Sequence, residues 1–234
     1  MNHVIAIDGP SGAGKGTVAR AVAAELGFRH VDTGAMYRAV AWRAQQLRAD
    51  LDSEDAVLLI ACAAVLDLDG STVVIDGTDV SAAIRTPEID RATTRVARLA
   101  RVREQLVARQ RALADSGPVV MEGRDIGTVV FPDADVKIYL DASPDERARR
   151  RAFDPAHTAA QTQDLADIAQ AMQRRDENDR TRLASPLSIA SDATVIDTTG
   201  MPVAQVVERV MVIVRGRMAA RPDPAGTPSA GTRS

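Results

Sequence analysis

Gly9-Pro10-Ser11-Gly12-Ala13-Gly14-Lys15-Gly16-Thr17 follows the apolar run Val4-Ile5-Ala6-Ile7 and precedes Val18, Ala21, Val22 and Leu26 at helical spacing. Strand, glycine-rich turn, lysine and helix, in that order, are the context that a phosphate-cradling loop requires. The glycines remove Cβ atoms, so successive backbone N–H groups can turn inward on an anion. A helix starting near Lys15 adds the partial positive charge of its N-terminus. Lys15 supplies a full charge for the outer phosphates of a nucleoside triphosphate. Of the 29 basic residues only Lys15 and Lys137 are lysines. In a chain so biased toward arginine, a lysine in this loop points to a need for a compact, mobile point charge. Spacing and context together favour phosphate binding over a plain turn with a solvated lysine.

The chain has 234 residues, enough for one α/β core with inserted subdomains and too few for two large domains. Aromatic residues are only 3%, so the core must be built from Val, Leu, Ile and Ala. A net charge of −3 argues against a general polyanion binder, and local clusters must carry any phosphate recognition. The single cysteine, Cys62, excludes an intramolecular disulfide and fits a reducing, cytoplasmic compartment. Its apolar surroundings, from Leu58 to Val65, predict a buried thiol. No targeting segment or membrane span is expected.

Further along, a short strand around His30-Val31-Asp32 leads into a helix from Ala35 to Leu47, and Glu54 to Leu66 reads as a second helix. Thr72 to Ile75 with Asp76-Gly77 reads as a strand entering a hairpin turn. One long helix is expected over Pro87 to Ala114. Val119-Val120-Met121 and Val136 to Leu140 read as buried parallel strands. Further helices are expected after Pro144 and from Gln163 to Arg180, then a last strand at Ala193 to Ile196 and a last helix from Pro202 to Arg217. The alternation implies a doubly wound parallel sheet. Two segments interrupt it, 34–116 and 150–184. The core is then 1–33, 117–149 and 185–218, and a Pro- and Gly-rich tail, 219–234, is expected to be disordered.

Arginines recur where the core meets these insertions. Arg38 follows the second strand, and Arg124 ends a buried strand within Glu122-Gly123-Arg124-Asp125-Ile126-Gly127. Arg147, Arg149, Arg150 and Arg151 form one run, which a solvated helix face would explain equally well. Arg174, Arg175, Arg180 and Arg182 are interleaved with Asp176, Glu177 and Asp179. Ligands of open α/β sheets gather beyond the carboxyl ends of the strands. Arg38, Arg124 and the phosphate loop can therefore converge.

Taken with the loop, these blocks resemble bacterial cytidylate kinases over residues 4 to 216. Asp32 to Arg38, Gly77 to Glu88, Arg101 to Glu104, Glu122 to Pro132, Lys137 to Ser143 and Arg175 to Arg180 carry the match. The Gly-Arg-Asp block with its Thr-Val-Val-Phe-Pro extension is the most specific. In the loop, Gly16 stands where a Ser or Thr usually follows the lysine, and the hydroxyl comes at Thr17. That shift also resembles nucleoside monophosphate kinases.

The resemblance implies a P-loop kinase fold: a five-stranded parallel core, an inserted monophosphate-binding lobe at 34–116 and a lid at 150–184. It implies ATP-dependent phosphorylation of CMP and dCMP, with Mg²⁺ bound mainly through the ATP phosphates. Residues Gly9 to Thr17 would hold ATP. Arg38, Arg124 and Arg175 would grip the acceptor phosphate and the transferring group, which makes Lys15, Arg124 and Arg175 the catalytic set. Thr94, Arg103 and Asp125 would read the cytosine edge, Thr33 would help place the nucleotide, and Asp179 would reach the sugar hydroxyls with Arg182 in support. It also implies a monomer without nucleic-acid or membrane partners.

Elementary chemistry points the same way. Transfer to a hydroxyl benefits from a carboxylate that takes its proton, whereas a phosphate acceptor, with a second pKa of about 6, is already ionised at neutral pH. Such a reaction needs cationic clamping and in-line positioning, which arginine forks supply. A guanine-reading Asn/Thr-Lys-x-Asp motif cannot be formed with lysines only at 15 and 137. Scarce aromatics and balanced charge argue against nucleic-acid binding. UMP, AMP or shikimate kinases share the loop and are the alternatives within the kinases.

Overall fold

The computed structural model describes residues 2–154 and 164–219. The chain opens with β1 (Val4–Asp8), α1 (Lys15–Leu26) and β2 (Arg29–Asp32). A long excursion follows: α2 (Thr33–Gln46), α3 (Glu54–Ala63), a small antiparallel sheet of β3 (Leu66–Asp69), β4 (Thr72–Ile75) and β5 (Thr78–Asp79), then α4 (Pro87–Val96) and α5 (Ala100–Asp115). The chain returns through β6 (Val119–Gly123), a π-helical turn at Ile126–Val130, β7 (Val136–Asp141), α6 (Pro144–Ala152), α7 (Leu165–Thr181), β8 (Thr194–Asp197) and α8 (Val203–Ala219).

Five parallel strands are ordered β2-β6-β1-β7-β8. The central β1 pairs Val4 with Val119 on one side and Ile5 with Val136 on the other. All five of its residues are buried, as expected of a parallel strand covered on both faces. Ile5 and Ile7 point to the side covered by α1 and α8, where Val18, Val22, Val210 and Val214 complete a core. Val4 and Ala6 point to the other side, against Met121, Val107 of α5 and Ile126. A separate apolar cluster lies within the excursion, with Met36, Val57, Ile75, Ile84, Val96 and Leu106 at its centre. The carboxyl ends of β1, β2 and β6 meet at one edge of the sheet, bringing Asp8, Asp32 and Gly123 together. No helix among the described residues is long and apolar enough to cross a membrane.

Three expectations need correction. The single helix over Pro87 to Ala114 is two, because Ala97 to Leu99 forms a turn and Leu99 adopts extended backbone before α5. The helix from Glu54 ends at Ala63, not Leu66. Ala64 is extended, and Leu66–Asp69 pairs with Thr72–Ile75 across a Gly70-Ser71 turn. Cys62 is exposed rather than buried, because α3 turns Val57 and Ala61 inward and leaves Cys62 on the opposite face. The tail expected at 219–234 lies outside the described residues except for Ala219, which ends α8. Residue Gln163, taken as the start of a helix, also lies outside them.

Central strand packing sets the stability of this sheet. Ile7→Ala should cost about 2–5 kcal/mol, since Ile7 is fully buried and its neighbours on β6 and β7 cannot collapse inward. Urea unfolding followed by far-UV circular dichroism measures this; a change under 1 kcal/mol, roughly that of a surface substitution, would contradict it.

Candidate active site

The phosphate loop runs from β1 into α1, and its glycines carry left-handed backbone at Gly12 and Gly14. Gly14 is the N-cap of α1 and offers no side chain, so the first-turn N–H groups remain open to an anion. Gly16 lies close under a neighbouring side chain. A Cβ there would lie 3.0 Å from Oε1 of Glu122, so the serine or threonine usual at this position would crowd a buried carboxylate. Glu122 is fixed in turn by His30, whose Nε2 lies 3.1 Å from Oε1.

Lys15 folds back over the loop, and its Nζ donates to the Pro10 carbonyl at 2.7 Å. Burial pushes its pKa down to about 7, and the neighbouring Arg124 guanidinium adds to this, while Glu122, Asp176 and Asp8 pull the other way. The loop is also gripped from behind. Asp176 of α7, itself buried, accepts from the Ser11 N–H at 3.0 Å, and Arg147 of α6 donates to the Ser11 carbonyl at 3.0 Å. Arg147 and Asp176 pair directly with each other. Three of the four arginines in the run are therefore not a solvated face, since Arg151 is also turned inward, onto Asp90. Arg147 is buried, and Arg150 donates to Thr198 Oγ1 at 2.8 Å beside the loop, while Arg149 pairs with Glu146 at the surface.

Two chambers open from this point. A cavity of about 690 Å³ is lined by the loop from Ser11 to Thr17 and by Arg38, Glu122, Arg124 and Arg175. A small chamber of about 70 Å³ lies beyond it, lined by Thr33, Tyr37, Thr93, Arg103, Asp125, Asp179 and Arg182. Lys15, Arg124 and Arg175 line both. Arg103 pairs with Asp125 and lies 5.2 Å above the Tyr37 ring centroid. Arg182 reaches Asp179 at 3.4 Å and Asp125 at 3.7 Å, and Arg124 Nε donates to Asp179 at 3.0 Å. Burial opposes the charge on Asp179, yet Arg124, Arg175 and Arg182 outweigh it and hold its carboxyl below the usual range. Thr33 donates to the Glu122 carbonyl at 2.7 Å.

Thr94 is not brought into the small chamber. It lines an adjoining cavity with Arg91, Arg95 and Arg98, and its hydroxyl donates to the Asp90 carbonyl at 3.0 Å. The neighbouring Thr93 faces the chamber instead, since one step along α4 rotates a side chain by about 100°. Asp8 was also missed. It accepts from the Ile126 and Gly127 N–H groups at 2.9 and 2.7 Å and so fixes the turn that follows Asp125. Burial raises its pKa to about 6 against those hydrogen bonds. A buried carboxylate at the end of the central strand was the available signal. Among the described residues no three His, Cys, Asp or Glu side chains are grouped to hold a metal ion.

A sequence model of the cytidylate kinase family matches residues 5–216. The chain is 47% identical over 219 residues to the cytidylate kinase of Solibacter usitatus, covering 92% of this chain and 93% of that protein. The cytidylate kinase of Desulfitobacterium hafniense is 46% identical over 220 residues, with 93% and 94% covered. A bifunctional pantoate ligase/cytidylate kinase of Prochlorococcus marinus is 45% identical over 219 residues, 91% of this chain and 43% of that longer protein.

The state of Lys15 predicts a pH signature. With a pKa near 7 here against 10.5 ordinarily, Lys15 is mostly neutral at pH 8, and a triphosphate bound beside it would restore its charge. Binding at pH 8 should therefore take up most of one proton, roughly as a shift of several units requires. Calorimetry in buffers of different ionisation enthalpy measures the uptake, and Lys15→Met should abolish it. The native chain also binds fewer protons at this site than the unfolded chain between pH 7 and 10.5. The contribution of this site to stability thus rises with pH across that window. Lys15→Met should melt higher than the parent at pH 7, with the gap closing toward pH 10.5. No proton uptake at pH 8 would contradict the buried, neutral lysine.

Proposed function

We propose a division of labour among these residues that proceeds from one fact: the chain belongs to the cytidylate kinase family. Such an enzyme is a phosphotransferase that moves the γ-phosphoryl group of ATP to CMP. The observation that carries the assignment is the sharing of Lys15, Arg124 and Arg175 between the loop cavity and the small chamber. ATP phosphates would lie along the loop, and the CMP phosphate at the junction.

An oxygen of the CMP phosphate attacks the γ-phosphorus, the new P–O bond forms, and the bond to the β-bridging oxygen breaks to leave ADP. The acceptor oxygen carries no proton at neutral pH, so no general base is required. The barrier comes from repulsion between two anions and from alignment. Lys15 follows the γ-phosphoryl group, Arg124 and Arg175 span both phosphates, and Arg38 orients the acceptor. Thr17 lines the loop cavity and no carboxylate cage is found among the described residues; Mg²⁺ would be held mainly by the ATP phosphates with Thr17 beside it. When bound, the ion neutralises charge between the β- and γ-oxygens.

The small chamber fits a cytosine. Asp125 is an acceptor for the exocyclic amino group, and Arg103 donates to the ring acceptors. Arg103 Nε and Arg182 Nη2 are buried donors with no hydrogen-bond partner among the described residues, which suits a base edge carrying O2 and N3. Uracil would set a carbonyl against Asp125. Asp179, held by Arg124, would reach the ribose. The excursion 34–116 would act as the monophosphate-binding lobe and 150–184 as the lid. A 2′-deoxyribose leaves the base and phosphate contacts intact, so dCMP is included as an acceptor.

A coupled assay over CMP, dCMP, UMP, AMP and shikimate tests the reading. CMP and dCMP should be good acceptors, UMP poor, and AMP and shikimate essentially inactive. Asp125→Ala should lower kcat/KM for CMP by about two decades or more, because a site built for a missing partner leaves buried groups unpaired. Its KM for ATP should change little. AMP used as well as CMP, or unchanged CMP kinetics in Asp125→Ala, would overturn the assignment.

A further inference from the structure

Asp90 sits in the first turn of α4, and three helices send guanidinium groups to its carboxylate. Oδ1 accepts from Arg38 of α2 and, at 2.5 Å, from Arg175 of α7; Oδ2 accepts at 2.5 Å from Arg151 of α6. Arg38, Arg151 and Arg175 all line the cavity of the phosphate loop. Two of them are the arginines assigned above to the acceptor phosphate. A carboxylate offers guanidinium forks what a phosphoryl group offers: anionic oxygens able to accept paired, charge-assisted hydrogen bonds.

The arginines are not at a free surface. The side chain of Arg38 is 8% exposed, that of Arg151 16% and that of Arg175 18%. Burial lowers the pKa of Arg175, Asp90 counters this, and the like charges of Arg38 and Arg124 add to it. Three cations gathered in a half-buried site repel one another and need a shared anion to stay together. Asp90 supplies one, and it bridges α4 to both α6 and α7 in doing so.

We propose that Asp90 is a built-in stand-in for the acceptor phosphate, a carboxylate that holds Arg38 and Arg175 in their binding arrangement and is displaced when the CMP phosphate arrives. The exchange favours the phosphate, which brings up to two charges and three terminal oxygens against one charge and two oxygens. The stand-in keeps the arginines ordered between turnovers, and it lowers acceptor affinity because each binding event must first break its bonds. It also discriminates, since an anion of single charge gains little by replacing it. The proposal rests on the assignment of Arg38 and Arg175 to the acceptor phosphate.

The test uses Asp90→Asn and Asp90→Ser, so that one destabilised variant does not decide it, with Asp90→Glu to retain the charge. Asp167→Asn, an exposed carboxylate of α7 beside the adjoining cavity, controls for the general loss of one negative charge. Two readouts are taken: KM for CMP at saturating ATP, and the dissociation constant of inorganic sulfate measured by calorimetry on the protein alone. Removing the competitor should lower KM for CMP and tighten sulfate by at least about tenfold, the scale of one charge-assisted hydrogen bond. Asp90→Glu and Asp167→Asn should stay within about twofold of the parent by both readouts, below the scale of one such bond. A rise in KM for CMP in Asp90→Asn and Asp90→Ser, or unchanged sulfate binding, would show Asp90 to be a support of the site and overturn the proposal. The sulfate arm needs no nucleotide. A parent that fails to use CMP, with sulfate tightened in the variants, would therefore count against the acceptor assignment and not against the displacement.

Discussion

Concentrated positive charge is the constraint on which the rest of this structure depends. Lys15, Arg38, Arg124, Arg147, Arg175 and Arg182 converge on the edge of one sheet, and all are buried or largely so. Left alone they would repel one another and resist folding. The chain answers with carboxylates placed one by one. Asp176 ties Arg147 to the phosphate loop, Asp179 joins Arg124 to Arg182, Asp125 holds Arg103, and Asp90 gathers Arg38 with Arg175. Three of these ten paired groups, Arg175, Asp176 and Asp179, lie within five residues of α7. That helix carries charge of both signs inward, which explains why it lacks the apolar periodicity of a core helix.

The same arrangement shapes the chemistry. A reaction between two phosphates gains little from acid or base groups, and much from fixed cations that need not reorganise. Buried ion pairs supply that rigidity at a cost in desolvation. Lys15 stands apart from the arginines in being able to give up its proton when enclosed, and its depressed pKa records the crowding around it. Asp8, at the end of the central strand, extends the order to the turn after Asp125 by accepting two backbone N–H groups. Sheet, loop and small chamber are thereby one connected scaffold.

How much of this was legible in the sequence depended on whether the signal was local. The loop was readable because strand, glycines, lysine and helix are contiguous. Arg124 and Asp125 were readable because a charged pair between a buried strand and a glycine is an uncommon arrangement. Helical phase was harder. Thr94 and Thr93 differ by one step on α4, and only the packing of α4 decides which faces the base chamber. Cys62 was placed inside by its neighbours' composition and lies outside by its angle on α3. Asp90, Asp176 and Arg147 were not legible as site residues, because their partners lie on other helices or in the phosphate loop, 29 to 165 positions away. The break between α4 and α5 carries no proline or glycine, and β3, a four-residue Leu-Asp alternation, follows directly on an apolar run that reads as a continuing helix.

The central claim is that two nucleotide phosphates meet between Lys15, Arg124 and Arg175, and one binding measurement reaches it directly. Cytidine and adenosine joined through their 5′ positions by a pentaphosphate would span both chambers at once. Calorimetry should find this compound bound at least about a hundredfold more tightly than ATP or CMP alone, as expected when two sites are engaged by one molecule of fitting length. Affinity no greater than that of ATP would mean that the two chambers are not filled together, and would contradict the account.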